Sequence, residues 1–265
     1  MKTKRLPLLA AALLAGVSLP AAAQTVLSDT FETGMDGWVA WDGSVTGYAT
    51  VADPLVPANT VLSTPPTGRT VTIRKNTDTV LNDSMVLSFD LYSGNAGDNS
   101  WNLSAALLTG LGSAVPGYGF SITPTTATLY KYPQGWSTLN GSGAVSLGSA
   151  SLDSGPLAGI WKTDAWNSLS LQWLKDGSFS LTINGTVVAT GTDATYDISA
   201  ARLVYKSFCT NDAGAGVTGR VLLMDNVQIS AVAPIPEPAT VAAILSAAVF
   251  LIGAGCRQRN SRRFR

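Results

Sequence analysis

The sequence contains no histidine. That removes Ser-His-Asp and Cys-His nucleophilic centres and every imidazole metal site. Glutamate is almost missing as well, with only Glu32 and Glu237. A retaining glycosidase needs two carboxyls about 5–5.5 Å apart, and no paired-glutamate motif is present. Asp176, Asp193 and Asp212 stand in turn-like contexts where aspartate is usual. No Walker or dinucleotide glycine fingerprint occurs. Cysteine is limited to Cys209 and Cys256. The second lies in an apolar run near the chain end, so no intramolecular disulfide is expected, and stability must come from packing or a bound ion. Cys209, in LVYKSFC, reads as a small buried hydrophobe.

Net charge is also missing, but only on paper. Of the 17 Lys+Arg, three precede residue 6 and five follow residue 256, which leaves 9 against 16 Asp+Glu in residues 25–232, a net of −7. A mildly acidic domain has no basic stripe to hold nucleic acid, and its charge suits a soluble protein outside the cell.

The uncounted cations sit at two apolar ends. MKTKRLPLLAAALLAGVSLPAAAQ has Lys2, Lys4 and Arg5, an apolar run from Leu6 to Leu19, and Ala21-Ala22-Ala23 before Gln24. A basic n-region, an apolar h-region and an A-x-A site make residues 1–23 a secretory signal peptide; the alternative is a retained membrane anchor. Residues 239–256 carry no charge, and about 1.5 Å per residue gives roughly 27 Å of helix, enough for a bilayer core. Five arginines in residues 257–265 follow. Such a cluster stays cytoplasmic, leaving the upstream domain outside; the alternative is a buried core helix. Residues 233–238, with three prolines, form an extended linker.

Pro236-Glu237-Pro238, an apolar span and a basic end, in that order at a terminus, resemble the bacterial PEP-CTERM sorting signal. The resemblance covers about 30 residues. It implies recognition by a membrane-embedded exosortase, cleavage near Pro-Glu-Pro, and delivery to the cell surface or extracellular matrix. It concerns trafficking and carries no catalytic residue.

Between the ends, helical periodicity is hard to find and alternation is frequent. Met85, Leu87, Phe89 and Leu91 alternate in MVLSFDL. Leu169, Leu171 and Trp173 share a face, as do Phe179, Leu181 and Ile183, with turns at Asp176-Gly177 and Asn184-Gly185. These dipeptides supply the positive φ that tight hairpins require. A three-strand meander is therefore expected over 169–174, 178–183 and 186–190. Further strands are expected over 26–31, 47–52, 70–75, 101–109, 118–122, 126–132, 201–208 and 220–229. In the last, Val221, Leu223, Val227 and Ile229 are expected on one apolar face, with Asp225 interrupting it. Trp38, Trp166 and Trp173 are expected in the core. The fold class is all-β: one antiparallel β-sandwich of the jelly-roll type over residues 24–232, flanked by the signal peptide and a single C-terminal transmembrane helix.

SDTFETGMDGW (28–38) at the start and LLMDNVQIS (222–230) at the end resemble segments of carbohydrate-binding modules and of concanavalin- or laminin-G-like jelly rolls, and NGTVVATGT resembles a hairpin of the same superfamily. In such a fold the first and last strands lie close, and Asp29, Glu32, Asp36 and Asp225 could meet. Calcium takes six to eight hard oxygens. A carboxylate on an apolar face is costly unless paired or ion-bound, so Asp29, Glu32 and Asp225 are candidate ligands of a structural calcium. The alternative is that Asp225 accepts backbone hydrogen bonds while the other acids are solvated.

Aromatic rings stack on sugars, and amides bond their hydroxyls. Tyr130, Tyr132 and Trp136 flank a Pro-Gln-Gly turn with Asn140 close by, and Trp101 follows GDNS. These five are the candidate glycan-binding residues; the alternative is ordinary core packing. The expectation is an exported, non-enzymatic bacterial protein of the surface or matrix, with exosortase and extracellular polysaccharide as partners and a glycan-binding, adhesive or structural role. Two alternatives stand beside it: a diverged glycoside hydrolase or polysaccharide lyase with an Asp-based site, and a scaffold that binds only protein.

Overall fold

The computed structural model describes residues 24–41, 48–63, 71–94, 101–112, 114–135, 143–209 and 222–232. The expected leader (1–23), the linker with Pro236, Glu237 and Pro238, the apolar span (239–256) and the arginine tail lie outside the described residues, as do Trp136 and Asn140. Among the described residues no helix is long and apolar enough to cross a membrane.

Among the described residues there are fifteen strands: β1 (Thr25–Asp29), β2 (Trp38–Ala40), β3 (Ala49–Ala52), β4 (Thr60–Ser63), β5 (Val71–Leu81), β6 (Met85–Ser93), β7 (Trp101–Leu108), β8 (Gly117–Ile122), β9 (Thr126–Tyr132), β10 (Val145–Ser151), β11 (Trp166–Trp173), β12 (Ser178–Ile183), β13 (Thr186–Thr192), β14 (Ala200–Cys209) and β15 (Leu222–Ala231). They form two antiparallel sheets. The first runs β13-β12-β11-β6-β15-β4-β3, with β1 also paired to β15; the second runs β10-β9-β8-β7-β14-β5-β2. The first and last strands are neighbours, as expected, with Asp29 opposite Val227.

The alternation along β6 is complete: Met85, Leu87, Phe89, Leu91 and Ser93 are buried and the residues between them half-buried. Paired to it, Leu169, Leu171 and Trp173 continue the same inward face, and Phe179, Leu181 and Ile183 extend it across β12. The second sheet answers with Leu103, Ala105, Leu107, Tyr118, Phe120, Leu203 and Tyr205. Phe89 stacks on Phe120 at 5.9 Å, while Tyr118 meets Trp173 edge-on at 4.7 Å. These rings join the two sheets.

The meander forms as its turns dictate. Gly177 has φ 84°, and the 184–185 turn has φ 49° at Asn184 and 78° at Gly185, the two left-handed positions of a type I′ hairpin. Two expectations fail. Trp166 is half-buried, with its Nε1 donating to Asp53 Oδ1 at 3.3 Å; it lies at an outward position opposite Tyr92. On β15 the period of two breaks. The register shifts between Asp225 and Gln228, and Asn226 has φ 52°. This bulge puts Leu223 and Asp225 outward, opposite Tyr92 and Asp90, while Val227 and Ile229 stay in the core. A bulge adds one residue to one strand and so switches faces.

A polar tie crosses between the sheets. Asp193, just after β13, accepts from Lys131 Nζ (2.7 Å), Tyr118 Oη (2.7 Å) and the Thr195 amide (2.9 Å). Burial acts to raise its carboxyl, but these hydrogen bonds outweigh it and hold Asp193 below the ordinary value of 3.8. The ionised form therefore favours the folded state; its contribution is complete above pH ~4 and is lost as acid protonates it. Asp193→Asn is expected to cost about 2 kcal/mol at pH 7 and to flatten the fall in stability below pH ~4, both read from chemical denaturation at a series of pH values.

Candidate functional site

Two places on the sandwich carry polar chemistry: an acidic junction on the outer face of the first sheet, and the outer face of the second.

The junction begins in the turn after β1. Phe31, fully buried, has φ 58° and its amide donates to Asp29 Oδ1 at 2.9 Å. This left-handed residue turns the chain so that Glu32 Oε1 accepts the Thr60 amide at the start of β4 (3.1 Å). Asp225, 4% exposed, accepts from Asn59 Nδ2 at 2.9 Å and from the Asn226 amide at 2.7 Å. Asn226 Nδ2 in turn donates to Asp90 Oδ2 at 2.8 Å. Asn59 also reaches Asp53 at 3.4 Å. Burial raises the Asp225 carboxyl above the ordinary range, the charges of Asp90 and Glu32 add to this, and the hydrogen bonds from Asn59 and Asn226 oppose it. Asp53 goes the other way: burial alone would raise it, but bonds from the Leu55 amide, Asn59 and Trp166 win and lower it.

Of the expected calcium ligands, Glu32 and Asp225 are thus within electrostatic reach of each other. Asp29 is engaged elsewhere. Its Oδ2 takes both Trp38 Nε1 (2.8 Å) and Lys75 Nζ (2.5 Å), which ties β1 to β2 and β5. Asp90 is the acid that the sequence reading missed. Its only signal was an outward position in the alternation of β6, next to a strand not yet placed. Among the described residues no three acids or cysteines are gathered closely enough to hold a metal by themselves; amide and carbonyl oxygens would have to complete any calcium shell.

On the second sheet, the outward positions of β7, β8 and β9 are Asn102, Ser104, Ala106 and Leu108, then Gly117, Gly119 and Ser121, then Thr128, Tyr130 and Tyr132. Small residues make the middle low, and Tyr130 stands at its side, half-buried and 5.8 Å from Tyr132. Asn102 Oδ1 accepts from Ser121 Oγ at 3.2 Å. On the far side β14 and β5 bring Arg202, Lys206, Arg74 and Asn76, and Trp41 lies against Arg74 and Arg202.

The expected glycan-binding set is divided by this geometry. Tyr130 is on the face. Tyr132 must be withdrawn from the set: it is 2% exposed and packs with Ala106, Leu108 and Val204, and a ring without an accessible side cannot stack on a sugar. Trp101 is at an inward position of β7, opposite in sense to Asn102, with Trp161 at 4.9 Å; it shares no platform with Tyr130. Trp41, which no motif marked, joins Tyr130 on the face.

The two sheets and the places they carry define an all-β, antiparallel two-sheet sandwich. Among solved structures, the chain is similar to an endo-β-1,3-glucanase from Pyrococcus furiosus (TM-score 0.54, 11% identity, 80% of this chain and 96% of that one). It is also similar to the globular domain of T. cruzi calreticulin (TM-score 0.51, 9% identity, 87% and 100%) and, more distantly, to a Bacillus subtilis carbohydrate-binding module, CBM66 (TM-score 0.46, 12% identity, 74% and 97%). No protein-family model and no curated protein matches the sequence.

Proposed function

We propose that the chain is an exported, non-enzymatic glycan-binding protein of a bacterial surface or extracellular matrix. The observation that carries this reading is the outer face of the second sheet. Half-buried Tyr130 and Trp41 stand over a floor of small residues beside Asn76, Asn102 and Ser121. Such a face offers stacking rings and hydroxyl-bonding groups. No acid occupies an outward position of β7, β8 or β9, so among the described residues these three strands present no carboxylate pair of the glycosidase kind. A scaffold of the same fold serves a protein named as a glucanase. Export rests on the two sequence ends, with exosortase as the processing partner. Pull-down on a panel of insoluble polysaccharides tests the reading; retention on none of them overturns it.

The enzymatic alternative has one observation behind it. Asp90 and Asp225 are directly opposed across β6 and β15, and burial raises the second, as in acid–base pairs. Both are tied to asparagine amides. Reducing-sugar release from a bound polysaccharide would establish this reading against ours.

The same junction is our proposed calcium site, with Asp225 and Glu32 as ligands and Asp90 beside them. Lys75 and Lys131 are engaged elsewhere, on Asp29 and Asp193. Because the folded Asp225 favours its proton, its charge lowers stability as pH rises above ~4. Asp225→Asn should therefore melt no lower than the parent without calcium. In millimolar calcium the parent should gain several degrees and the variant nothing. An unchanged parent melting point removes the site.

A further inference from the structure

Beyond the acidic junction, the outer face of the first sheet has an uncharged half. β11, β12 and β13 contain no Lys, Arg, Asp or Glu, although residues 25–232 hold 9 Lys+Arg and 16 Asp+Glu. Their outward positions are mainly hydroxyls, with the amide of Gln172, and they stand in register. Thr190 is opposite Ser180, and Ser180 opposite Gln172; in the next row Thr182 is opposite Ser170, and Ser170 opposite Ser88 of β6. Soluble domains ordinarily spread charge over their exposed faces. A solvent-facing surface without it suits a ligand that is itself uncharged and rich in hydroxyls.

At its β13 edge this face is hollowed. β10, the edge strand of the second sheet, comes so close to β13 that a Cβ on residue 148 would fall on the Thr190 carbonyl oxygen. Gly148 permits the approach, and Leu147 beside it lines an open groove of about 510 Å³ together with Leu174, Gln172, Ser180, Thr190 and Thr192. Small-ligand sites run from about 300 to 1,000 Å³. Ser180 Oγ donates to Gln172 Oε1 at 3.5 Å, while the hydroxyls of Ser170, Thr182, Thr190 and Thr192 have no partner among the described residues. Hydroxyls elsewhere on the domain pair with one another, as Thr128 with Ser149 at 2.9 Å and Thr123 with Thr126 at 2.8 Å. At the other end of β11 the half-buried rings of Trp166 and Tyr92 stand at opposed outward positions, 5.7 Å apart. From Trp166 to Gln172 along the strand is about 20 Å, the length of a short oligosaccharide. A contact between two copies would need a broader apolar centre; the large apolar side chains of the groove are Leu147, Leu174 and Phe179, the last 3% exposed.

We infer that the first sheet carries a second glycan-binding face, and that the protein therefore cross-links polysaccharide chains. A neutral chain lies along β11, with sugar rings against Trp166 and Tyr92 and its hydroxyls in the groove. The inference rests on the glycan-binding reading of the second sheet and adds a role to it. The two faces are the outer sides of opposite sheets, with the core between them, so one extended chain cannot occupy both. Each domain then joins two chains, and the linkage multiplies retention on a matrix without any new contact.

The test titrates the full-length chain by calorimetry with cellohexaose, laminarihexaose, mannohexaose and xylohexaose, and follows agglutination of mixed beads coated with the corresponding polysaccharides. Two sites per chain are expected in total, for one sugar or for two that do not compete. Gln172→Ala/Thr190→Ala and, independently, Ser180→Arg, which fills the groove, should leave one site. Both should stay on the polysaccharide pull-down yet need at least tenfold more protein to agglutinate the beads. These side chains face solvent, so each variant should melt within about 2 °C of the parent, which separates lost binding from lost folding. A parent with one site in total, or groove variants that keep two, overturns the inference and leaves the glycan-binding reading intact. No site for any sugar overturns it too and, together with failure on the insoluble panel, sinks that reading as well. A parent that sediments as a dimer and a Ser180→Arg variant that sediments as a monomer would assign the face to a second copy and likewise overturn the inference.

Discussion

Gly119→Ala is expected to cost at least about 3 kcal/mol and to leave little folded protein at growth temperature. Gly119 lies in the middle of β8, between Ala106 of β7 and Tyr130 of β9. A Cβ there would fall on the Ala105 carbonyl oxygen and lie 2.7 Å from the Ala106 Cα. Both obstacles are backbone, so no rotamer change relieves the contact. The strand must move, and with it the pairing that supports β7 and β14. Overpacking usually costs about 1–3 kcal/mol, and more where nothing can yield. Denaturant melts should show the loss in the midpoint. Gly185→Ala serves as a control: it meets no neighbouring atom and bears only the strain of φ 78°, so the expected cost is about 1 kcal/mol.

Trp173→Ala should cost about 3–5 kcal/mol, in the range for emptying a large buried aromatic site. Trp173 is fully buried at the end of β11, stacked on Phe179 at 5.8 Å and edge-on to Tyr118 at 4.7 Å. Its removal opens a cavity where the sheets meet, and since Tyr118 also holds Asp193, the polar tie should loosen with it. Trp173→Phe should be much milder. Trp173 Nε1 is buried without a partner, so the phenyl ring keeps most contacts while deleting an unsatisfied donor. Thermal melts of the two variants distinguish cavity from hydrogen bonding. A Phe variant as damaged as the Ala variant would show that the indole edge has a role of its own.

The legible parts of the fold share one property: their burial alternates. β6, β11 and β12 follow the period of two without interruption, and Asp176-Gly177 and Asn184-Gly185 mark the two ends of β12. The strands that escaped notice, β2, β4 and β10, lack that signal. β2 and β4 have three and four residues, and β10 is an edge strand of VSLGSAS with no buried position. The lower half of β5, NTDTVL, reads as loop because it is polar; it is a strand because β14 pairs across a register shift. In β15 the error had one source. Asn226 takes a left-handed φ at a bulge, and a single extra residue reverses every side chain beyond it.

For the sites, the sequence by itself determined which side chains are on hand: a chain without histidine and with one glutamate between 24 and 232 has no imidazole centre and no glutamate pair whatever its shape, and leaves aspartate as its acid. It also determined that the core is built from strands, because alternation is a local property of neighbouring residues. It could not show that Asp90 stands opposite Asp225, that Lys75 takes Asp29, or that Arg74, Arg202 and Trp41 meet. Those partners are separated by tens to more than a hundred positions. Strand order and register bring them together, and these are set by how two whole sheets bury their apolar faces rather than by any short motif.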